Sequence, residues 1–262
     1  MPFSDLARIR TAAPLVHNIT NYVVMNTTAN ALLAIGASPV MAHAVEEVEE
    51  MVGLARALVL NIGTLSAPWI EAMLRAGRAA RQRGIPVVLD PVGSGATRYR
   101  TATARRLLDE VGPTIVRGNA SEIASLSSDE GGTKGVDSTR ASEETVAHAQ
   151  ALATRWGCAV VVSGATDVIV GDGTVLRVRN GHPMMARVTG MGCTASALVG
   201  AFAAVNPSPT RAAAHAMALM GIAGEMAAER AEGPGTMQLF FLDALARIEE
   251  TDVTRRLRIE PS

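Results

Sequence analysis

Short apolar runs alternate with longer stretches whose apolar residues recur at helical spacing, nearly from one end of the chain to the other. The runs at 14–18, 39–42, 57–61, 86–90, 114–117, 159–163, 167–171 and 175–179 predict strands. Several are unbroken and rich in β-branched residues, such as Val87-Val88-Leu89 and Val160-Val161-Val162. A strand covered on one face alternates apolar with polar residues; unbroken runs point to parallel strands buried on both faces. Residues 21–35, 67–83, 101–111 and 142–156 predict helices between the strands. Residues 194–205, 210–231 and 235–249 predict three more after a glycine-rich turn. Alternating strands and helices give an α/β fold, a mostly parallel central sheet flanked by helices on both faces. Composition does not shift and no long linker interrupts residues 1–262, so one domain is expected. The polar stretch 127–142 is the most loop-like segment, either a cover over a ligand or a surface excursion.

In open parallel sheets, ligands bind beyond the carboxyl ends of the strands. The polar residues just past each run are therefore the candidates for chemistry. They include His17-Asn18, Met41-Ala42-His43, Asn61-Ile62-Gly63-Thr64, Asp90-Pro91, Arg117-Gly118-Asn119 and Ser163-Gly164.

The strongest candidate is Val188-Thr189-Gly190-Met191-Gly192-Cys193-Thr194-Ala195-Ser196. Its two glycines let the backbone approach a bound group closely, and the helix that follows opens with unpaired N–H groups that favour an anion. Cys193 lies in the first helical turn, where the positive end of the dipole tends to lower a thiol pKa. An anion cradle beside a tuned acid/base group suits phosphoryl transfer. Residues 190–195 also fit G-x-G-x-x-A, but that dinucleotide fingerprint belongs to a first βα unit and is followed by a strand carrying an acid. Here the motif comes late and helices follow.

Each further candidate has a structural alternative. Asp90 ends a strand before Pro91 and can hold Mg²⁺ through water or cap the next turn. Arg117, at another strand end, suits a phosphate. Asn119 and Glu122 have capping-box spacing, yet Glu122 also faces the crevice where Asp90 lies. Ser163 offers a hydroxyl for a phosphate oxygen, or is a turn serine. His17 and Met41 line a pocket for a small, partly apolar substrate, or are core residues. Cys158 enters an apolar run and reads as an inert, buried thiol.

Composition narrows the chemistry. The formal net charge of -1 gives no reason to expect nucleic acid or an anionic membrane as partner. No apolar run spans a bilayer and the first residues lack a signal-peptide core, so a cytoplasmic protein is expected. Two cysteines are too few for a disulfide framework or a zinc cluster. Lys134 is the sole lysine and no Gly-Lys-Ser/Thr occurs, which excludes a Walker A loop. Any phosphate clamp is built from arginine and backbone N–H groups. Only 3% of residues are aromatic, so the core is built from aliphatic side chains and the 12 methionines.

These segments together resemble the hydroxyethylthiazole kinases, thiamine-salvage members of the ribokinase-like superfamily. The likeness covers nearly the whole chain and rests on Pro14-Leu15-Val16-His17-Asn18-Ile19-Thr20-Asn21, Gly36-Ala37-Ser38-Pro39-Val40-Met41 and Leu89-Asp90-Pro91-Val92-Gly93. Arg117-Gly118-Asn119-Ala120-Ser121-Glu122, Lys134-Gly135-Val136-Asp137-Ser138 and the 189–193 turn complete it. The resemblance implies a ribokinase-like fold without a lid domain, ATP and Mg²⁺, and a homotrimer with active sites at subunit interfaces. It implies that Met41, Gly190, Asn21 and Val23 contact the thiazole alcohol, that Arg117, Ser163 and Gly192 contact ATP, and that Asp90 and Glu122 serve the metal. Family members often carry Thr where this chain has Ser163. Cys193 occupies the place where most ribokinase-like enzymes carry an aspartate base, and the expectation is that it orients the hydroxyl and accepts its proton late. Two rival readings are a kinase for a pyrimidine or pyridoxal alcohol and a nucleotide-binding regulator with little turnover.

Overall fold

The computed structural model describes residues 1–127 and 138–261, with side chains described outside 138–142. Most of the 127–142 stretch, including Lys134, thus lies outside the described residues. In chain order the elements are α1 (Pro2–Ala12), β1 (Leu15–Ile19), α2 (Met25–Ala34), β2 (Ser38–Val40), α3 (Val48–Leu54), β3 (Ala57–Asn61) and α4 (Ala67–Arg83). Then come β4 (Val87–Asp90), α5 (Arg98–Val111), β5 (Ile115–Asn119), α6 (Ala120–Ser127), α7 (Ser138–Trp156), β6 (Ala159–Ser163), β7 (Asp167–Gly171) and β8 (Thr174–Val178). A 3-10 helix (Pro183–Arg187) leads to α8 (Met191–Ala203), α9 (Pro209–Ala228), α10 (Pro234–Arg247), α11 (Glu250–Arg256) and β9 (Ile259–Pro261).

All these strands form one sheet in the order β2-β1-β3-β4-β5-β6-β7-β8-β9. Pairing is parallel from β2 to β6 and antiparallel from β6 to β9. The reversal at β6–β7 follows from its short turn, where the Gly164 N–H donates to Asp167 Oδ1 at 3.0 Å. Parallel register sets the carboxyl ends of the strands side by side: Asn61 lies opposite Asp90, and Asn119 opposite Ser163.

Successive strand residues feed two cores, one on each face of the sheet. Val16, Val59, Val88 and Val161 pack with Leu198, Phe202 and Leu219 of the two alanine-rich helices. Leu58, Leu60, Leu89 and Val162 pack with Met73, Leu74, Leu107 and Leu152 of α4, α5 and α7. The small residues of α8 let it lie directly on the strands. A Cβ on Gly200 would stand 2.7 Å from a Val59 methyl carbon.

The predicted strands all form. The helices differ at their ends for identifiable reasons. The helix predicted at 101–111 starts at Arg98, because the Thr97 hydroxyl accepts the Arg100 N–H and caps it. The helix predicted at 235–249 ends at Arg247 and is followed by the separate α11. The first helix, α1, falls in a segment with too few apolar residues to show a period, yet Leu6 and Ile9 are fully buried.

Candidate active site

A chain of buried polar side chains crosses the carboxyl edge of the central strands. Asp90, at the end of β4, is 1% exposed. Its Oδ2 accepts from Asn61 Nδ2 and from the Ser196 hydroxyl, both at 2.7 Å. Asn61 Oδ1 in turn accepts from Asn21 Nδ2 and from the Gly63 N–H, each at 2.9 Å. Asn21 Nδ2 also points to Cys193 Sγ, 3.4 Å away. Strands β3 and β4, helix α8 and the loop after β1 thus meet through two amides, a hydroxyl, one carboxylate and one thiol.

Asp90 Oδ1 is buried and has no hydrogen-bond partner among the described residues. Burial pushes the Asp90 carboxyl up to about 6, against the pull of the Arg117 guanidinium and the donors Ser196 and Asn61. An uncompensated buried acceptor of this kind is what a cation or its bound water would satisfy. Glu122 stands near enough to raise Asp90 further. Its two oxygens accept the Gly93 and Asn119 N–H groups, both at 2.8 Å, while the Asn119 side chain accepts the Glu122 N–H at 2.9 Å. The capping box is therefore real, and Glu122 also fastens the 90–95 loop. A carboxylate so engaged would reach a metal only through water, by its remaining lone pairs. Among the described residues no three or more His, Cys, Asp or Glu side chains converge on a metal position. A protein cage for a metal is thus not built from them; a phosphate-bound Mg²⁺, which keeps several waters, needs none.

Gly190 is left-handed, with φ 82°, and a Cβ there would meet a Val24 methyl carbon at 2.7 Å. The first intrahelical bond of α8 runs from the Thr194 N–H to the Gly190 carbonyl at 2.8 Å. The N–H groups of 191–193 thus face outward from the helix start. Arg117 lies against them: a Cβ on Gly192 would stand 3.0 Å from Arg117 Nη1. Arg117 is 8% exposed and donates to the Ser163 hydroxyl at 2.8 Å. These groups form the polar end of a cavity of about 510 Å³, whose other walls include Pro183, Met185, Met217 and Met220.

The structure brings Asp90, Arg117, Glu122, Ser163, Gly190, Gly192, Cys193 and Asn21 to one crevice. Val23 is exposed beside them, its N–H held by Asn21 Oδ1 at 3.1 Å. Met41 is half-buried one strand further out, past the edge strand β2. His17 takes the core position that was its structural alternative. It is fully buried, and its Nε2 lies 2.7 Å from the Ala42 carbonyl, tying β1 to the segment after β2. Cys158 is buried, with its thiol pushed up to about 12.

One sequence expectation is reversed. Burial pushes the Cys193 thiol up, and the nearby Asp90 carboxylate pushes it further; the Asn61 and Asn21 amides and Arg117 act against them without prevailing. The helix start does not deliver a ready thiolate here, because the sulfur is screened from water and faces a carboxylate. The sequence places Asn61 among the polar strand ends and Ser196 at the close of the glycine-rich stretch, but assigns a role to neither.

With this geometry established, likeness to known proteins is specific. A sequence profile described as the Hydroxyethylthiazole kinase family matches residues 6–251. The chain belongs to the hydroxyethylthiazole kinase family. A member from Syntrophus aciditrophicus (strain SB), named hydroxyethylthiazole kinase, is 65% identical over 252 residues, covering 96% of this chain and 93% of its own. The solved structure of a hydroxyethylthiazole kinase from Pyrococcus horikoshii OT3 matches with a TM-score of 0.92 at 45% identity, over 100% of this chain and 98% of that one. The pyridoxal kinase of Staphylococcus aureus, solved with AMP-PCP and pyridoxal, matches with a TM-score of 0.67 at 16% identity, over 95% of this chain and 98% of its own, and shares the ribokinase-like fold. The family is one of kinases, phosphotransferases acting on a small molecule.

Proposed function

We propose that this kinase transfers the γ-phosphoryl group of ATP to the primary hydroxyl of 4-methyl-5-(2-hydroxyethyl)thiazole. The observation that carries the reading is the juxtaposition of the 190–193 helix start with Arg117 on one side and Asp90 on the other. A glycine-built anion cradle, a guanidinium and a carboxylate are what a phosphate being transferred needs around it. ATP fits the cavity lined by Arg117, Ser163 and Gly192, with its methionine walls left for the base. Asp90, and Glu122 through water, would hold Mg²⁺, which supplies charge neutralisation on the phosphate oxygens.

The alcohol belongs on the Cys193 side of the crevice, beside Asn21, Val23, Gly190 and Met41. Phosphoryl transfer passes through a loose transition state, so positioning of the hydroxyl counts for more than basicity. Cys193 suits that part as a protonated thiol that orients the hydroxyl oxygen. Late proton acceptance by this sulfur loses the lowered pKa it would need. The enzyme is proposed to work in the cytoplasm as a single-domain chain assembled into a homotrimer, with Met41 and the exposed Val23 facing the subunit boundary. Among the described residues no helix is long and apolar enough to cross a membrane.

The test is ADP release from purified protein with Mg-ATP, with and without the thiazole alcohol. Thiazole-dependent ADP with a phosphorylated thiazole product supports the assignment. Turnover with pyridoxal or a hydroxymethylpyrimidine instead overturns the substrate and keeps the phosphoryl site. ATP binding with no turnover on any alcohol favours the regulator.

A further inference from the structure

Three rings from three separate segments meet beside the stretches that carry Asn21 and Met41. The Tyr22 and Trp69 ring centres are 4.4 Å apart with planes tilted by 59°, and those of His43 and Trp69 are 4.6 Å apart with a tilt of 43°. Trp69 is 3% exposed and sits in the first turn of α4, its backbone N–H accepted by the Ser66 hydroxyl cap at 3.4 Å. Tyr22, by contrast, is 67% exposed.

What the rings carry is the point of interest. Tyr22 directly follows Asn21, whose amide lies on Asn61 and Cys193, and the Tyr22 N–H donates to the Thr64 hydroxyl at 3.2 Å. His43 follows Met41 by two residues, with its Nδ1 3.3 Å from the Met41 carbonyl. One indole therefore braces the 21–23 segment, leaving β1, and the 41–43 segment, leaving the edge strand β2. Aromatic residues are scarce in this chain, at 3%. Tilted ring pairs of this spacing have a preferred geometry, so they fix separation as well as contact.

We propose that the Tyr22–Trp69–His43 stack is the positioning unit of the alcohol site. It sets the distance between Asn21–Val23 and Met41, and so the place of the acceptor's heteroaromatic ring. This rests on the reading above that the alcohol lies beside Asn21, Met41 and Gly190. The rings act through those neighbours and touch no reacting atom. None of the three lines the cavity assigned to ATP, so loosening the stack weakens alcohol binding and leaves the nucleotide alone.

Tyr22 serves the test because its side chain is outside the core and can be replaced without opening a cavity there. Steady-state kinetics of Tyr22→Ala are expected to show the KM for the alcohol raised about tenfold, with kcat and the KM for ATP within about twofold of the parent. Tyr22→Phe, which keeps the ring and loses only the hydroxyl, restores the parent value. In a Trp156→Phe background, the thiazole alcohol added without nucleotide changes the emission of Trp69. An unchanged alcohol KM in Tyr22→Ala, an equal rise in the KM for ATP, or failure of Tyr22→Phe to restore binding overturns the proposal. Gly190→Ala separates the two readings. An alcohol KM raised in Gly190→Ala but not in Tyr22→Ala overturns the stack alone; a KM raised in neither overturns the placement of the alcohol itself.

Discussion

The Ser196 hydroxyl, one turn into α8, donates to Asp90 Oδ2 at the end of β4, 2.7 Å away, and neither residue reaches solvent. It is one of two donors that fix which carboxylate oxygen faces the crevice; Asn61 is the other. Ser196→Ala removes one of them and lets the carboxylate turn. A misdirected group costs rate without needing to leave the site. The expected result is a kcat about tenfold lower, with restoration by Ser196→Thr, measured as thiazole-dependent ADP release; an unaltered kcat in Ser196→Ala counts against the role.

Asp90 itself is held against its solvation preference. Burial raises its carboxyl to about 6 from an ordinary 3.8, so the charged form is penalised in the native state at neutral pH. The raised pKa contributes stability below the unfolded value, and that stability is lost as pH rises through about 6. Asp90→Asn removes the penalty. At pH 7.5 the variant is expected to melt at a higher temperature than the parent while its kcat falls at least about 100-fold. The difference in melting temperature narrows as the pH is lowered from 7 to 5, because the parent's carboxyl then takes up its proton. Parallel thermal melts and rate measurements check both halves.

Cys193 gives the third expectation. A thiol pushed up by burial and by Asp90 is protonated at working pH. Cys193→Ser, which keeps a small hydrogen-bonding group in place, is expected to retain kcat within about tenfold. Its pH–rate profile between 6 and 9 runs parallel to that of the parent. An alkaline limb in the parent that vanishes in the serine variant would instead identify the sulfur as a proton acceptor.

Far from this crevice, Asp5 is 1% exposed and accepts from His215 Nδ1 at 2.7 Å and Asn206 Nδ2 at 2.6 Å, with Arg8 also paired to it. Burial lowers the His215 pKa below 6.5, its bond to Asp5 opposing without prevailing. Burial pushes Asp5 up, but His215, Asn206 and Arg8 together hold it below 3.8. Both shifts have the same sign for stability: the unfolded chain binds more protons, so stability is lost as pH falls, first below about 6.5 and again through the carboxylate range. Melting temperatures recorded from pH 8 to 4 are expected to decline accordingly. His215→Gln removes the first step and leaves the second.

The strands were legible because a parallel sheet covered on both faces writes itself as unbroken apolar runs, as at Val160-Val161-Val162. The crevice was legible for the same reason, since strand ends mark it in any such sheet. What escaped was whatever depends on pairing between distant segments. Ser196 acquires its meaning from Asp90, and nothing within α8 reveals that partner. The direction of the Cys193 shift was not legible because a helix dipole is a local property, whereas the burial and the Asp90 charge that raise the thiol come from the assembled fold. Short elements such as α3, α11 and β9 are below the length at which a period can be counted.

The ties of α1 also bear on how the chain comes to be folded during synthesis. Asp5 is held from Asn206 and His215, and Arg10 donates to the carbonyls of Ala246 and Ile248. This segment is therefore made some two hundred residues before its partners exist. Contacts so far apart in sequence close slowly, since the chain between them has to be ordered first. The β1–β3–β4 centre has its hydrogen-bonding neighbours, β2 and β5, within the first half of the chain, but one face of it stays bare until α8 and α9 arrive. A nascent chain halted before that point exposes an aliphatic sheet face, and is the species that a chaperone would engage.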